Sequence, residues 1–318
     1  MCYNRATIQG DFMVTLHLSP DDNLTEILNN LTEPATVYLK SGVYRQKIWL
    51  KKNDVTIIGE NRETTIITYD DYARKIHEDG KEFNTFRTYT LCITGERVKL
   101  ENLTVENSNT APHEVGQCVA LSVNAKSFYA KNINLKSTQD TLFLSPFPDD
   151  LVVRYRGFIP EEQLYLEGGA LHLFENCKIY GTVDFIFGCA EAYFEKCEIF
   201  SLHDERGYGF VAAPAHSLKQ ERGFVFHDCD FISAGAEDGT VYLARPWRDF
   251  GKCEFISCRL GKHIISGLYD KWNDTERDKT ARFLHYGLTP SLSPVGWSKE
   301  LTKEQACEIT DSLKIFLK

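Results

Sequence analysis

Along the middle of the chain one short pattern of apolar and polar positions recurs. An apolar residue is followed by two positions that are polar in all but one copy, then an apolar residue or cysteine, one polar residue and one apolar residue. It reads LENLTV (100–105), AKNINL (130–135), FENCKI (174–179), FEKCEI (194–199), FHDCDF (226–231) and FISCRL (255–260). The fourth position is Leu103, Ile133, Cys177, Cys197, Cys229 and Cys258, at intervals of 30, 44, 20, 32 and 29 residues. Such alternation predicts a half-buried strand, and its regular return predicts a solenoid. The fold expected is all-β, a right-handed parallel β-helix. In it one short strand per coil pairs with its equivalent above, inward side chains stack along the axis and loops leave at fixed corners. A leucine-rich repeat would need an LxxLxL period with a helix or equivalent in each unit, and an immunoglobulin-like sandwich about seven strands in some 100 residues. Neither pattern is present.

The two ends read differently. Ser19-Pro20-Asp21-Asp22 followed by NLTEILNNL predicts a capped amphipathic helix, with Ser19 as N-cap and Pro20 at the first helical position, plugging the N-terminal end of the solenoid. LTKEQACEITDSLKIFL (301–317) has a Thr302-x-x-Gln305 capping box and apolar Ala306, Ile309, Leu313 and Leu317, a second helix. No Gly/Ser linker or composition shift divides the chain, so residues 1–318 read as a single domain.

Composition narrows the possibilities. The 318 residues are 42% apolar and 25% charged, which excludes disorder and low-complexity polymers. No apolar run approaches the roughly 18 to 20 residues that cross a bilayer, so no membrane span is expected. The segment MCYNRATIQGDF lacks a basic region followed by an apolar one, which predicts a cytoplasmic protein, or a secreted one if a leader has been removed. With 36 Lys and Arg against 45 Asp and Glu the formal charge is −9 and no basic stripe stands out, which argues against nucleic acid as a partner. The ten cysteines form no CxxC or Cys/His cluster. Four of them replace Leu or Ile in one slot of the repeat, where a small buried hydrophobe is wanted and disulfides are not required.

Seven residues beyond the fourth repeat position stand Asp140 (from Ile133), Asp184 (from Cys177) and Asp204 (from Cys197). If coils stack in register, Asp140 and Asp184 occupy equivalent places about 4.8 Å apart at the backbone. Two carboxyls that close do not ionise alike. One is driven towards its protonated form while a cation keeps the other anionic, the separation that an acid and a nucleophile need. Asp140 sits in STQDTLF and Asp184 among apolar neighbours in GTVDFIFG, whereas Asp204, in SLHDERGYG, has polar and charged company.

GQCVAL (116–121), QDTLF (139–143), GTVDFIFG (181–188) and YLARPW (242–247), in that order, resemble the pectin methylesterase (pectinesterase) family of carbohydrate esterases. GKEFNTFRTYTL (80–91), VKLENLTVENS and the closing W-SKELT segment extend the resemblance from about Val37 to the C-terminus. It implies hydrolysis of the C6 methyl ester of galacturonate units, in homogalacturonan or oligogalacturonides, with release of methanol and no metal or organic cofactor. Carried over residue by residue, it implies Asp184 as nucleophile and Asp140 as general acid and then base. Gln117 and Gln139 would donate to the oxyanion and Arg245 would pair with Asp184. Trp247, Phe187, Phe143, Trp272 and Thr88 are the implied substrate-binding residues, and the chain is expected to act as a monomer. Bland readings stand beside these: an amide ladder for the glutamines, a surface ion pair for Arg245, half-buried aromatics for the tryptophans. A catalytically silent carbohydrate-binding solenoid and a polysaccharide lyase on the same scaffold are the competing functions.

The chain departs from the family pattern in several places. The two aspartates lie 44 residues apart instead of about one coil, the excess being roughly SPFPDDLVVRYRGFIPEEQLYLEGG (145–169). This insertion is expected to leave the corner just after Asp140 and return before Leu171, either as a wall of the sugar cleft that limits the length of bound chain or as a surface hairpin. Gln46 stands where relatives often carry Glu, and AAP at 212–214 replaces a Thr-containing stretch. A cytoplasmic location, expected from the absence of a leader-like segment, would be a further departure.

Overall fold

The structure, a computed structural model, describes residues 14–32, 34–109 and 112–313. Residues 1–13, which include the MCYNRATIQGDF segment, and Leu317 of the expected C-terminal helix lie outside the described residues.

The chain is a right-handed parallel β-helix. Among the described residues its coils build three parallel sheets of eleven, eight and seven strands, called here sheets A, B and C in the order the chain visits them. One coil runs through Ser127–Lys131, Asn134–Lys136 and Leu142–Leu144, and the next through Leu171–Glu175, Lys178–Gly181 and Val183–Gly188. The two coils pair in register at Ala130↔Phe174, Leu135↔Ile179 and Phe143↔Phe187.

Each coil thus contributes three strands where one was expected, and the repeat itself shows why. Its first apolar position is the last residue but one of a sheet A strand and its last lies in a sheet B strand. The polar residue between them, Asn102, Asn132, Asn176, Lys196, Asp228 or Ser257, has φ of 52 to 54°. Asn and Asp enter this left-handed region at low cost because their short polar side chains bond locally. The apparent single strand is a strand, a sharp corner and a second strand, so that apolar residues on both sides of the bend face the same interior.

Inside, equivalent positions stack. Phe174, Phe194, Phe226 and Phe255 form a ladder with ring centroids 4.9, 4.6 and 4.9 Å apart and nearly parallel planes. Cys177, Cys197, Cys229 and Cys258 form the adjacent ladder, all fully buried free thiols. Burial raises the thiol pKa of Cys197, Cys229 and Cys258 well above the ordinary range, which keeps them neutral.

Among the described residues five α-helices decorate the solenoid: α1 (Leu24–Asn29), α2 (Pro112–Val115), α3 (Asp149–Tyr155), α4 (Glu161–Leu164) and α5 (Lys303–Leu313). The N-terminal helix starts later than the sequence suggests. Asn23 is its N-cap, its Oδ1 accepting from Glu26 N at 3.2 Å, while Ser19 N and Oγ donate to Asp22 Oδ2 and close a separate turn. Ser19 and Pro20 are therefore outside the helix, because Asp22 takes the Ser19 hydroxyl before it can cap. Leu24 and Leu28 of α1 are buried and the helix packs on the strand Ile48–Leu50. At α5 the capping box forms as read, Gln305 N donating to Thr302 Oγ1 and Thr302 N to Gln305 Oε1. Ala306 and Ile309 pack on Leu173, Tyr193, Val225 and Ile256, so α5 covers the outer face of sheet A.

The 145–169 segment departs after the strand Leu142–Leu144, one strand later than expected, and it is helical. Through Phe147, Leu151, Tyr155, Ile159 and Leu164 it joins Phe86, Phe143 and Phe187 in a second apolar cluster outside the main core.

Candidate active site

The outer face of sheet C carries a cleft of about 520 Å³, lined by Gln117, Gln139, Asp140, Asp184, Phe187, Arg245, Trp247 and Trp272 together with residues of the 72–87 loop and of α3. Stacking positions its carboxyls. With Leu142 opposite Ile186 and Phe143 opposite Phe187, Asp140 and Asp184 are register partners on neighbouring coils, as the repeat offset required. Both take the left-handed backbone conformation, with φ of 63° and 51°, so the two side chains leave the sheet in the same way. Asp140 N donates to Val183 O, and Cys118 N donates to Gln139 O, which ties three successive coils together at the site.

The two carboxyls have different surroundings. Arg245 follows the strand Val241–Ala244 and grips Asp184 in a fork, Nε to Oδ1 at 2.8 Å and Nη2 to Oδ2 at 2.7 Å. Its guanidinium lies between the rings of Phe210, 3.8 Å away, and Trp272, 4.1 Å away. A planar cation packed on aromatic faces keeps the bidentate geometry fixed. Asp140 has no such partner. Burial above all, and then the Asp184 charge, push its pKa well above the ordinary carboxylate value, against the opposing pull of Arg245, the Gln139 amide and Arg206. The result is two neighbouring carboxyls in unlike surroundings, one bound by an arginine and one whose protonated form is favoured by burial.

Of the residues singled out from the sequence, Asp140, Asp184, Gln117, Gln139, Arg245, Phe187, Trp247 and Trp272 converge on this cleft. Thr88 and Phe143 do not reach it. Both are fully buried: Thr88 Oγ1 donates to Thr85 O and accepts from Val119 N, and the Phe143 ring packs against Phe86, Phe147 and Phe187. Their place is beneath the cleft, where they support the residues that line it. Asp204 also stays out of the stack, because a longer corner over residues 203–208 carries it away.

Other cleft residues were not singled out one by one from the sequence, although most lie in the GKEFNTFRTYTL motif or in the 145–169 insertion. Leu151, Arg154 and Tyr155 come from α3, and Arg74, Asn84 and Phe86 from the 72–87 loop. The Tyr155 hydroxyl donates to Asn84 Oδ1 at 2.7 Å, and Arg248, beside Trp247, holds Asp150 in a bidentate pair, so α3 is fastened to both sides of the cleft. Among the described residues no group of three His, Cys, Asp or Glu side chains is arranged to hold a metal ion.

Comparison with known proteins identifies the family and the fold. The family model described as pectinesterase matches residues 18–146 and 151–298. Pectinesterase 31 of Arabidopsis thaliana is 30% identical over 301 residues, covering 91% of this chain and 86% of that protein. The crystal structure of a pectin methylesterase variant in complex with a hexasaccharide superposes with a TM-score of 0.74 at 21% identity, covering 91% of each chain. The pectin methylesterase from carrot gives a TM-score of 0.74 at 20% identity, covering 94% of this chain and 91% of that one.

Proposed function

Because the chain belongs to the pectinesterase family and is a carboxylic ester hydrolase, we propose that it cleaves the C6 methyl esters of galacturonate units through Asp184 and Asp140. The observation that carries this reading is the pairing of two register-matched carboxyls in opposite environments, one gripped by Arg245 and one whose protonated form is favoured by burial.

An Asp184 oxygen attacks the ester carbonyl carbon and forms a tetrahedral intermediate. Its negative oxygen is met by the side-chain amides of Gln117 and Gln139, donors that matter most where charge develops. As the C–O bond to the methoxy group breaks, Asp140 gives its proton to that oxygen and methanol leaves. An acyl anhydride of Asp184 remains. Asp140, now a carboxylate, takes a proton from water; the hydroxide adds to the galacturonate carbonyl, Asp184 departs as a carboxylate, and Asp140 is protonated again. Arg245 supplies the counter-charge for Asp184 before and after the acyl step. Trp247, Trp272 and Phe187 offer apolar faces to the sugar rings. The substrates are methylated homogalacturonan and its oligomers; the solved relative with a hexasaccharide bound across a fold of this kind supports a carbohydrate chain in the cleft.

Methanol release from highly methylated pectin and from a methylated trimer tests the proposal. Asp184→Asn and Asp140→Asn are each expected to lower kcat by about a thousandfold or more, the scale on which removal of a nucleophile or its acid partner acts. Full activity in either variant would refute the assigned roles.

A further inference from the structure

Asp204 has the same offset from its repeat as the two cleft carboxyls, yet its corner is six residues long, 203–208, where the corner before Val183–Gly188 is Thr182 alone. The longer corner brings a second arginine to the back of the site. Asp204 is buried, and Arg206 binds it with Nε to Oδ1 at 2.7 Å, Nη2 to Oδ2 at 2.7 Å and its own backbone N to Oδ1 at 3.0 Å. Burial alone would raise the Asp204 pKa, but the Arg206 side-chain and backbone hydrogen bonds bring it below the ordinary value, so the anchor is a carboxylate. The remaining guanidinium nitrogen, Nη1, reaches Gln139 and donates to its Oε1 at 3.2 Å.

We propose that Arg206, anchored by Asp204, is a positioning residue of this site: it fixes the orientation of the Gln139 amide and places a second positive charge behind Asp140. The inference rests on the roles given above to Gln139 and Asp140. A guanidinium can only donate, so the amide edge facing it must be the carbonyl oxygen, and the N–H edge is turned the other way, towards Asp140 and the reacting ester. Oxygen and nitrogen of a primary amide have nearly the same shape. Without Arg206 the Gln139 side chain can rotate by half a turn and present an oxygen to the developing oxyanion, a repulsive contact in place of a hydrogen bond. The charge acts on the acid as well. Asp140 faces Asp184 and, more weakly, the Cys118 thiol and the Tyr155 hydroxyl; Arg245 and Arg206 are the two cations that oppose the rise in its pKa.

The test measures kcat and KM for methyl-ester hydrolysis across pH in Arg206→Gln, Arg206→Lys and Asp204→Asn, with Asp184→Asn as control. Arg206→Gln is expected to lower kcat by about 10- to 100-fold, part of what loss of an oxyanion donor costs, with KM nearly unchanged. Its alkaline limb should move to higher pH, because one of the two cations is gone. Arg206→Lys keeps the charge and should keep the limb at the wild-type pH, while kcat stays below wild type because a lysine cannot hold Asp204 in a fork and reach Gln139 together. Asp204→Asn should lower kcat less than Arg206→Gln does. If Arg206→Gln fails to fold, a wild-type kcat in both Arg206→Lys and Asp204→Asn overturns the proposal. Where Arg206→Gln folds, wild-type kcat and an unmoved limb overturn it while Asp184→Asn is inactive. An active Asp184→Asn protein would instead sink the reading of the site on which the proposal depends.

Discussion

At Asp140 the chemistry depends on a proton that an ordinary aspartate would have lost. Burial, and after it the Asp184 charge, disfavour its ionised form, so the folded protein holds the proton to a higher pH than a free aspartate does. The proton must be present when methanol departs. The rate at saturating substrate is therefore expected to fall as pH rises through the Asp140 pKa, giving an alkaline limb above the ordinary carboxylate range, and a kcat–pH profile checks this. A limb near pH 4 would show that Asp140 is not the acid. Arg245 shows how a neighbouring residue makes the distinction. Its fork on Asp184 and its packing between Phe210 and Trp272 fix a charge beside one carboxyl and leave the other to burial.

At the scale of elements, the stacked coil is what holds these residues in place. Phe226 lies in the middle of the aromatic ladder, between Phe194 and Phe255. Phe226→Ala is expected to cost about 3 to 5 kcal/mol by leaving a cavity that the paired coils cannot close, a loss to be read from urea unfolding. The α3–α4 segment has a different part. Pinned by Asp150 to Arg248 and by Tyr155 to Asn84, it raises one wall of the cleft, which favours the reading that it limits the length of bound chain over that of a hairpin remote from substrate. Arg154 is an exposed member of this wall. Arg154→Ser lowers the wall at little cost in stability, and the ratio of kcat/KM for long pectin to that for a methylated trimer should rise severalfold. An unchanged ratio would count against the wall.

Across the whole molecule, acid is the weak condition. His172 and His216 are fully buried and desolvated, and their pKa values are pushed down from 6.5 to about 4 and about 3. Both ring Nε2 atoms bond to backbone carbonyls, of Ala125 and Ala190, and His216 Nδ1 accepts from Lys252 N. A proton added to His216 Nδ1 would face a donor in the dry interior. Both groups have depressed folded-state pKa values, so their stabilisation is complete above about pH 6.5 and is lost as pH falls through about 4 and then 3. Near pH 5 unfolding takes up nearly two protons at these sites, a slope on the order of 2 kcal/mol per pH unit. Denaturant unfolding between pH 7 and 4 should show it, and His216→Asn should flatten the curve. A slope unaffected by that substitution would assign acid sensitivity to other groups.

Much of this was legible in order along the chain. Period, alternation and the cysteine slot gave the solenoid, because stacked coils demand the same residue character at the same place in each turn. The same register put Asp140 beside Asp184, and four motifs carried the family. Two features escaped because they depend on corners, whose length and direction have no periodic signature. A polar residue at φ of 52 to 54° turned one apparent strand into two, and the six-residue corner that displaced Asp204 brought Arg206 to Gln139. Thr88 and Phe143 were read as substrate contacts because motif position does not distinguish a side chain that meets sugar from one that other segments bury. The sequence by itself determined which residues stack, since stacking is repetition. Only the tertiary structure decided which of them the α3–α4 segment buries and which remain open to a ligand, since that depends on where chain far away in sequence comes to rest.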